Sequence, residues 1–314
     1  MEKSVIVSSQ QVLQQVRKVI VGKDNNLLWV MAAILSGSHI LLEDIPGVGK
    51  TTMAVAFSKV LGLDYNRVQF TPDVLPSDVT GFTVLDQTTG QMTYKPGAVL
   101  CNLFLADELN RATSRTQSAL LEAMEENQVT VDGISHPIPK PFIVIATQNP
   151  TGAAGTQLLP DSQMDRFALR MSLGYPSPAD EVTMVLGRLK KNPMGDLTAL
   201  LTPAQVVAMQ EEVAATHISE DVVRYIVRLI TATRRDEYIT QGASPRATLC
   251  LAAMSKAIAQ LSGRDYVIPE DVRSVFLRCI PHRLQLSPKA LSNNMTPEQI
   301  LTRILDEVHA PTAG

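Results

Sequence analysis

A glycine-flanked lysine and a pair of adjacent acids are the residues of this 314-residue chain best suited to chemistry. The lysine lies in Ile40-Leu41-Leu42-Glu43-Asp44-Ile45-Pro46-Gly47-Val48-Gly49-Lys50-Thr51-Thr52. An apolar strand ends, a short Pro/Gly turn follows, and Gly-Lys-Thr opens a helix, which is the order a phosphate-binding loop requires. Glycines let backbone N–H groups converge on one concavity, and a helix N-terminus favours an anion. In such a loop Lys50 reaches the β- and γ-phosphates of a nucleotide and the Thr51 hydroxyl ligates Mg²⁺. The pattern G-x-x-x-x-G-K-[ST] is broken only at its first position, where Asp44 replaces glycine. Asp44, Pro46, Gly47, Val48, Gly49, Lys50, Thr51 and Thr52 form the expected ATP-binding set.

The acids close the run Val99-Leu100-Cys101-Asn102-Leu103-Phe104-Leu105-Ala106-Asp107-Glu108. It is too short for a membrane span and reads as a buried parallel strand. At its end Asp107 would hold Mg²⁺, directly or through water, and Glu108 would orient and deprotonate an attacking water. The alternative is an ordinary strand with surface acids. The position of the run after the phosphate loop, inside one α/β pattern, favours the chemistry.

Composition narrows the remaining classes. Hydrophobic residues make up 45% of the chain, enough for a large core, and a chain of 314 residues more often forms two domains than one. The net charge of −3 lacks the basic excess of a nucleic-acid binder. Aromatic content is 4%, without the aromatic–basic interleaving that stacks bases. Cys101, Cys250 and Cys279 lie far apart in apolar runs and read as buried small hydrophobes in a reducing, cytoplasmic setting. The histidines show no H-E-x-x-H spacing and no G-x-S-x-G elbow occurs. The start, Met1-Glu2-Lys3-Ser4, lacks the layout of a signal peptide, and Ser36-Gly37-Ser38-His39 interrupts the most apolar segment, so no membrane span is expected.

The elements that must position these residues alternate. Helices are expected at Ser8–Val21 and Asp24–Ser36, with Asp24 as N-cap, then strand His39–Leu42, helix Lys50–Leu61 and strand Tyr65–Phe70. A short helix capped by Ser77 or Asp78 and a hairpin Phe82–Val84/Met92–Tyr94 follow. After the acid-bearing strand come helix Ser114–Asn127, a hairpin Val129–Val131/Ile134–Ile138 and strands Phe142–Ala146 and Phe167–Leu173. Alternation of this kind means a parallel α/β sheet. Gly174-Tyr175-Pro176-Ser177-Pro178 reads as a linker. Beyond it only helices are expected, at about Ala179–Leu189, Pro203–Ala215, Ser219–Arg235, Pro245–Leu261 and Pro269–Ile280, with a loose tail at Ala310–Gly314.

Several blocks, in order, resemble the MoxR group of AAA+ ATPases over almost the whole chain. They are the phosphate loop with its Asp44, Gln69-Phe70-Thr71-Pro72-Asp73-Val74-Leu75-Pro76-Ser77-Asp78-Val79-Thr80-Gly81, and Ala106-Asp107-Glu108-Leu109-Asn110-Arg111-Ala112. Thr116 to Glu126, Ala146-Thr147-Gln148-Asn149-Pro150, Leu158-Pro160-Asp161, Met164-Asp165-Arg166-Phe167, Gly174-Tyr175-Pro176 and Ala243-Ser244-Pro245-Arg246-Ala247 complete the series. The resemblance implies an AAA+ P-loop NTPase core at residues 1–175, a parallel sheet between helices, and an all-α lid domain at 179–314.

The resemblance also assigns roles. Asn149 would bind the attacking water or the γ-phosphate, Arg166 would enter a neighbouring subunit's site, and Arg246 would reach the γ-phosphate from the lid of its own chain. A surface pair with Asp165 is the plain alternative for Arg166. A cation such as Arg246 at a helix start wants an anion. Val21-Gly22 resembles a turn that contacts adenine; Arg111 is left between the subunit interface and a trans phosphate contact, and Gln69 is a candidate to hold Glu108 inactive. The activity the resemblance implies is Mg²⁺-dependent ATP hydrolysis by a homo-oligomeric ring, a hexamer, coupled to remodelling, maturation or metal-cofactor insertion of client proteins, often beside a partner with a von Willebrand factor A domain. A nucleotide-gated scaffold with little turnover and a magnesium-chelatase-type motor subunit are the alternatives.

Overall fold

The computed structural model describes residues 5–88, 90–149, 159–190 and 193–311. Pro150 and Leu158 of the resembling blocks, the terminal stretch 1–4, Thr89 and the expected loose end 312–314 lie outside the described residues. The N-terminal part runs α1 (Val5–Arg17), α2 (Asp24–Leu35), β1 (His39–Glu43), α3 (Lys50–Val60), β2 (Tyr65–Gln69), α4 (Pro76–Thr80), β3 (Gly81–Leu85), β4 (Met92–Pro96), β5 (Leu103–Asp107), α5 (Ser114–Glu126), β6 (Gln128–Val131), β7 (Ile134–Pro137), β8 (Ile143–Gln148), α6 (Asp161–Met164) and β9 (Phe167–Met171). Five of these strands form one parallel sheet in the order β2-β5-β8-β1-β9, and β3–β4 and β6–β7 are separate hairpins.

Period-two alternation explains how continuous apolar strands serve two layers. Ile40, Leu42, Leu103, Leu105, Ile143 and Ile145 join the apolar layer containing α1, α2 and α3. Leu41, Phe104, Ala106, Val144 and Ala146 point the other way, against Leu120, Leu121 and Met124 of α5. The C-terminal part continues with α7 (Pro178–Lys190), α8 (Pro203–Ala215), α9 (Glu220–Thr233), β10 (Ile239–Gln241), α10 (Pro245–Leu261), α11 (Pro269–Cys279), β11 (Gln285–Leu286), α12 (Pro288–Ser292) and α13 (Pro297–Glu307). Its buried residues, among them Tyr225, Leu251, Phe276 and Ile304, belong to the same apolar cluster as α1 and α2, so the helical lid grows out of one face of the core.

Several expectations need correction. Asp24 is the first residue of α2 and Lys23 is its cap position, without a side-chain hydrogen bond. The cap of α4 is Leu75, whose N–H is bonded by the Asp78 carboxylate at 2.8 Å. The lid holds the short antiparallel pair β10–β11, whose strands are too brief to show a period. Helices α12 and α13 lie beyond the last expected helix; in α13 Thr296 and Gln299 form a capping box and Ile300, Leu301, Ile304 and Leu305 fill one buried face. Cys250 and Cys279 are brought together, with a hydrogen bond between their free thiols. None of the described helices is long and apolar enough to cross a membrane.

Core and lid are tied at Phe167. His282 Nε2–H donates to the Phe167 carbonyl at 2.9 Å, and Arg283 donates to the same oxygen at 2.8 Å and to Asp165 at 2.7 Å. Burial, with the Arg283 cation beside it, holds the His282 imidazole neutral and pushes its pKa down to about 3. The unfolded chain binds this proton near pH 6.5, the folded chain near 3, so stability is complete above 6.5 and falls as the solution is acidified. His282→Gln, which keeps a donor for Phe167, should flatten the decline in unfolding free energy between pH 6 and pH 4 by about 1.4 kcal/mol per pH unit, one proton's worth. Chemical denaturation at stepped pH measures this, and an unchanged slope would refute the role given to His282.

Candidate nucleotide site

Strand β1 ends at Glu43, and the chain must reverse into α3 within six residues, Asp44 to Gly49. Gly47 at φ 88° and Gly49 at φ 99° adopt left-handed backbone there. A Cβ would meet nothing at either position, so the requirement is conformational, not steric crowding. The turn aims the start of α3 at a cavity of about 440 Å³, lined by Pro46, Gly47, Gly49, Lys50, Thr51, Thr52, Arg67, Gln69, Asp107, Glu108 and Asn149.

Lys50 is buried at the head of α3. Its ammonium donates to the Asp44 carbonyl at 2.6 Å and to Asn149 Oδ1 at 3.5 Å. Burial lowers its pKa, and the charges of Asp44, Asp107 and Glu108 oppose that shift. Asp107, at the end of β5, accepts from Thr147 Oγ1 at 2.6 Å and Arg67 Nη2 at 2.7 Å. Glu108 turns away from the strand with φ 56°, a left-handed conformation unusual for a residue with a side chain. That turn separates the two acids. The Glu108 N–H is held by Thr147 Oγ1 at 2.9 Å, while its carboxylate accepts from Arg111 at 2.7 Å and from Asn149 Nδ2 at 3.1 Å. The Arg111 hydrogen bond, with smaller contributions from Asn149 and Gln69, keeps the Glu108 carboxyl below its ordinary pKa and therefore ionised.

The oxygen donors suit magnesium, which prefers one or two carboxylates completed by water and phosphate oxygens. Thr51 offers a hydroxyl in the cavity, and Asp107 offers a carboxylate whose two oxygens already have protein partners. That arrangement fits contact with the ion through water. Thr147 and Arg67 escaped the sequence reading. Each stands two residues before a noted one, Asn149 and Gln69, on the same side of its strand, so the period of two was the available signal.

Other expected residues sit elsewhere. The Asp44 side chain does not line the cavity: it accepts from Ser172 Oγ at 2.7 Å, from Gly174 N–H at 3.2 Å and from Leu173 N–H. The missing first glycine is thus explained, because the carboxylate ties the loop to the chain after β9. Val48 packs on the apolar layer. Val21 and Gly22 are absent from the described lining; the Gly22 turn lies against Asp180 at the start of α7, so close that a Cβ would overlap the Asp180 carboxylate.

Arg166 and Arg246 share one anion. Arg166 donates to Glu125 Oε2 from Nε at 3.1 Å and Nη2 at 2.9 Å, while Arg246 pairs with Oε1 of the same carboxylate. Those cations, Arg166 foremost, lower the Glu125 pKa. The anion that answers Arg246 at its helix start is Glu125 in this structure. Asp165 is not the partner of Arg166 either, being engaged by Arg283 and by Ser244 at 2.8 Å. Among the described residues lining the cavity, neither Arg166 nor Arg246 appears. The structure brings together Lys50, Thr51, Thr52, Asp107, Glu108 and Asn149, and it groups the two arginines apart from them.

Comparison with known proteins shows the family and the fold. Residues 39–169 match the ATPase family associated with various cellular activities (AAA), and residues 231–304 match the AAA lid domain. The chain is 40% identical over 299 residues to the uncharacterized protein YeaC of Bacillus subtilis, covering 95% of this chain and 93% of that one. It is 38% identical over 311 residues to chaperone MoxR1 of Mycobacterium tuberculosis, covering 96% and 82%. A crystal structure of a presumptive ATPase from Cytophaga hutchinsonii superposes with a TM-score of 0.90 at 36% identity, over 98% of this chain and 96% of that one.

Two substitutions probe the site. Glu108→Gln should keep nucleotide affinity and reduce phosphate release by at least about 100-fold, since an amide cannot take the proton of water; titration and steady-state release read the two effects separately. Asp44→Gly, which restores the usual loop pattern, should destabilise the fold by about 2–4 kcal/mol by leaving the Leu173 and Gly174 N–H groups without their acceptor. Unfolding in urea gives the value, and a change below about 0.5 kcal/mol would show that the carboxylate is not a structural tie.

Proposed function

Because the chain belongs to the MoxR family of AAA+ ATPases, we propose that its ATP hydrolysis takes place in a closed ring, a hexamer, where each site is completed by the next copy. The observation that carries this reading is the separation of charges. One cavity holds Lys50, Thr51, Asp107, Glu108 and Asn149, while Arg166 and Arg246 share Glu125 outside it. Phosphoryl transfer develops negative charge on the γ-phosphate oxygens, which a cation from a neighbour can neutralise. Head-to-tail contacts that place one copy's arginine pair on the next copy's cavity generate a ring when the rotation closes.

In this reading the loop N–H groups and Lys50 hold the β- and γ-phosphates. Bound Mg²⁺, held by Thr51 and through water by Asp107, would supply positive charge at the phosphate oxygens. Asn149 positions a water; Glu108 takes its proton as the water oxygen bonds to the γ-phosphorus and the bond to the ADP oxygen breaks. Arg166 and Arg246 leave Glu125 of their own chain for the neighbour's phosphates. Arg111, which sequence left undecided, acts within its own chain as a tether on Glu108. The chaperone name of the Mycobacterium tuberculosis relative supports coupling to a client protein. Remodelling or maturation of such a client in the cytoplasm, in concert with a von Willebrand factor A domain partner, is the work we assign to the ring.

Mixing two inactive forms tests the shared site. Lys50→Ala lacks the phosphate cation and Arg166→Ala the trans cation. A mixed ring contains interfaces with both groups intact and should recover part of the phosphate release. Mixtures shown by native mass measurement to exchange subunits, yet without any recovery, would argue against Arg166 acting in trans. A chain that binds ATP and assembles without releasing phosphate would instead be a scaffold.

A further inference from the structure

Helix α7 has its apolar side turned outward. Val182, Val185, Leu186 and Leu189 are between 53% and 78% exposed. At helical spacing these positions fall within an arc of about 100°, the width of a core-facing stripe. Residues of this kind normally meet a partner, since a contiguous exposed apolar patch marks an interaction site. The same molecule carries a second uncovered apolar surface, a groove of about 570 Å³ between α8 and α10 that includes Val207, Leu249, Ala252 and Ala253. Leu249 is 74% exposed.

We propose that the α7 stripe of one copy seats in the α8–α10 groove of the next copy of this chain. The inference rests on the ring reading and adds the surface that holds the ring together. Position favours this occupant. Helix α7 starts directly after the segment that Asp44 of the phosphate loop grips, and Gly22 abuts its Asp180, so the helix that carries the stripe begins close behind one copy's phosphate loop. Leu249 lies three residues, nearly one turn of α10, beyond Arg246, the cation that must meet a neighbour's cavity. An arginine pair delivered to a neighbour therefore carries the groove toward that neighbour's α7. Charge agrees. At the N-terminal end of the stripe stand the acids Asp180 and Glu181, and the groove holds Lys140 and Lys256 against the single acid Glu211. The two surfaces differ, so the contact is heterologous, as a ring requires.

The full chain with ATP and Mg²⁺ is the test material. Leu186→Asp with Leu189→Asp should raise the concentration for half-assembly at least about tenfold by sedimentation, with the melting temperature of the dilute, nucleotide-free chain unchanged. Leu249→Asp should do the same. Leu189→Cys and Leu249→Cys, mixed under mild oxidation, should form a disulfide-linked dimer that neither variant forms alone. Variants that assemble like the unaltered chain would overturn the interface and leave the ring reading standing. An unaltered chain that stays monomeric with ATP would overturn both. Cross-linking of Leu189→Cys with itself would overturn the groove in favour of α7 pairing with α7.

Discussion

Lys50 carries a positive charge into a place that water barely reaches, at the end of a helix whose dipole repels it. Burial alone pushes its pKa down, and an uncharged amine could not hold phosphates. The surroundings answer this one constraint. The Asp44 carbonyl and Asn149 accept hydrogen bonds from the ammonium, and Asp107 and Glu108 place two carboxylates nearby. Those carboxylates would repel each other and the incoming phosphates if left free. Each is tied to its own arginine, Arg67 for Asp107 and Arg111 for Glu108. Thr147 bridges the two by giving its proton to Asp107 and accepting from the Glu108 N–H. The cavity is thus a lattice of alternating charges, assembled by the ends of parallel strands β5 and β8 beside β1.

A second set of ties fixes the lid on this core. Asp44 binds the chain leaving β9, Asp165 binds Arg283 and Ser244, and Phe167 takes His282 and Arg283. All of them gather at strand β9 and its flanks, the stretch that leads from the phosphate loop to α7. A change at the loop can therefore be felt at the lid through a few hydrogen bonds. Glu125 adds a looser clasp: it is 41% exposed and holds Arg166 of the core and Arg246 of the lid on one carboxylate. A solvent-screened pair of this kind is worth little and is easily surrendered. Such a clasp fits the role proposed for the two cations in a neighbour's site.

The division between site and arginines has a geometric origin. Glu125 lies in the last turn of α5, Arg166 precedes β9, and Arg246 lies in the first turn of α10; these residues converge on one another and are absent from the described lining of the cavity that Lys50 and Glu108 share. A chain so arranged gathers its phosphate- and water-directed groups in one cavity and holds Arg166 and Arg246 together on Glu125 outside it. Helix α7 repeats the theme with apolar side chains, offering outward a stripe that its own chain does not cover.

Local chemistry was enough to find the phosphate loop, the acid-bearing strand and the alternation of strands with helices. Glycines at 47 and 49, an apolar run ending in Asp107-Glu108, and period-two or period-3.6 spacing each act within a few residues, where sequence and geometry are directly linked. The tertiary structure decided what depends on distant partners. It set the strand order β2-β5-β8-β1-β9, gave Asp44 its acceptor role for residues 172–174, and placed Thr147 and Arg67 on Asp107. It also chose Glu125, 121 residues away, as the anion for Arg246. A charge at a helix start states that an anion is needed, yet only the fold, which brings the end of α5 to the starts of β9 and α10, determines which one arrives. Sequence specified the chemistry each residue could perform; the fold specified the partner, because contacts between residues remote in the chain are set by how whole elements pack.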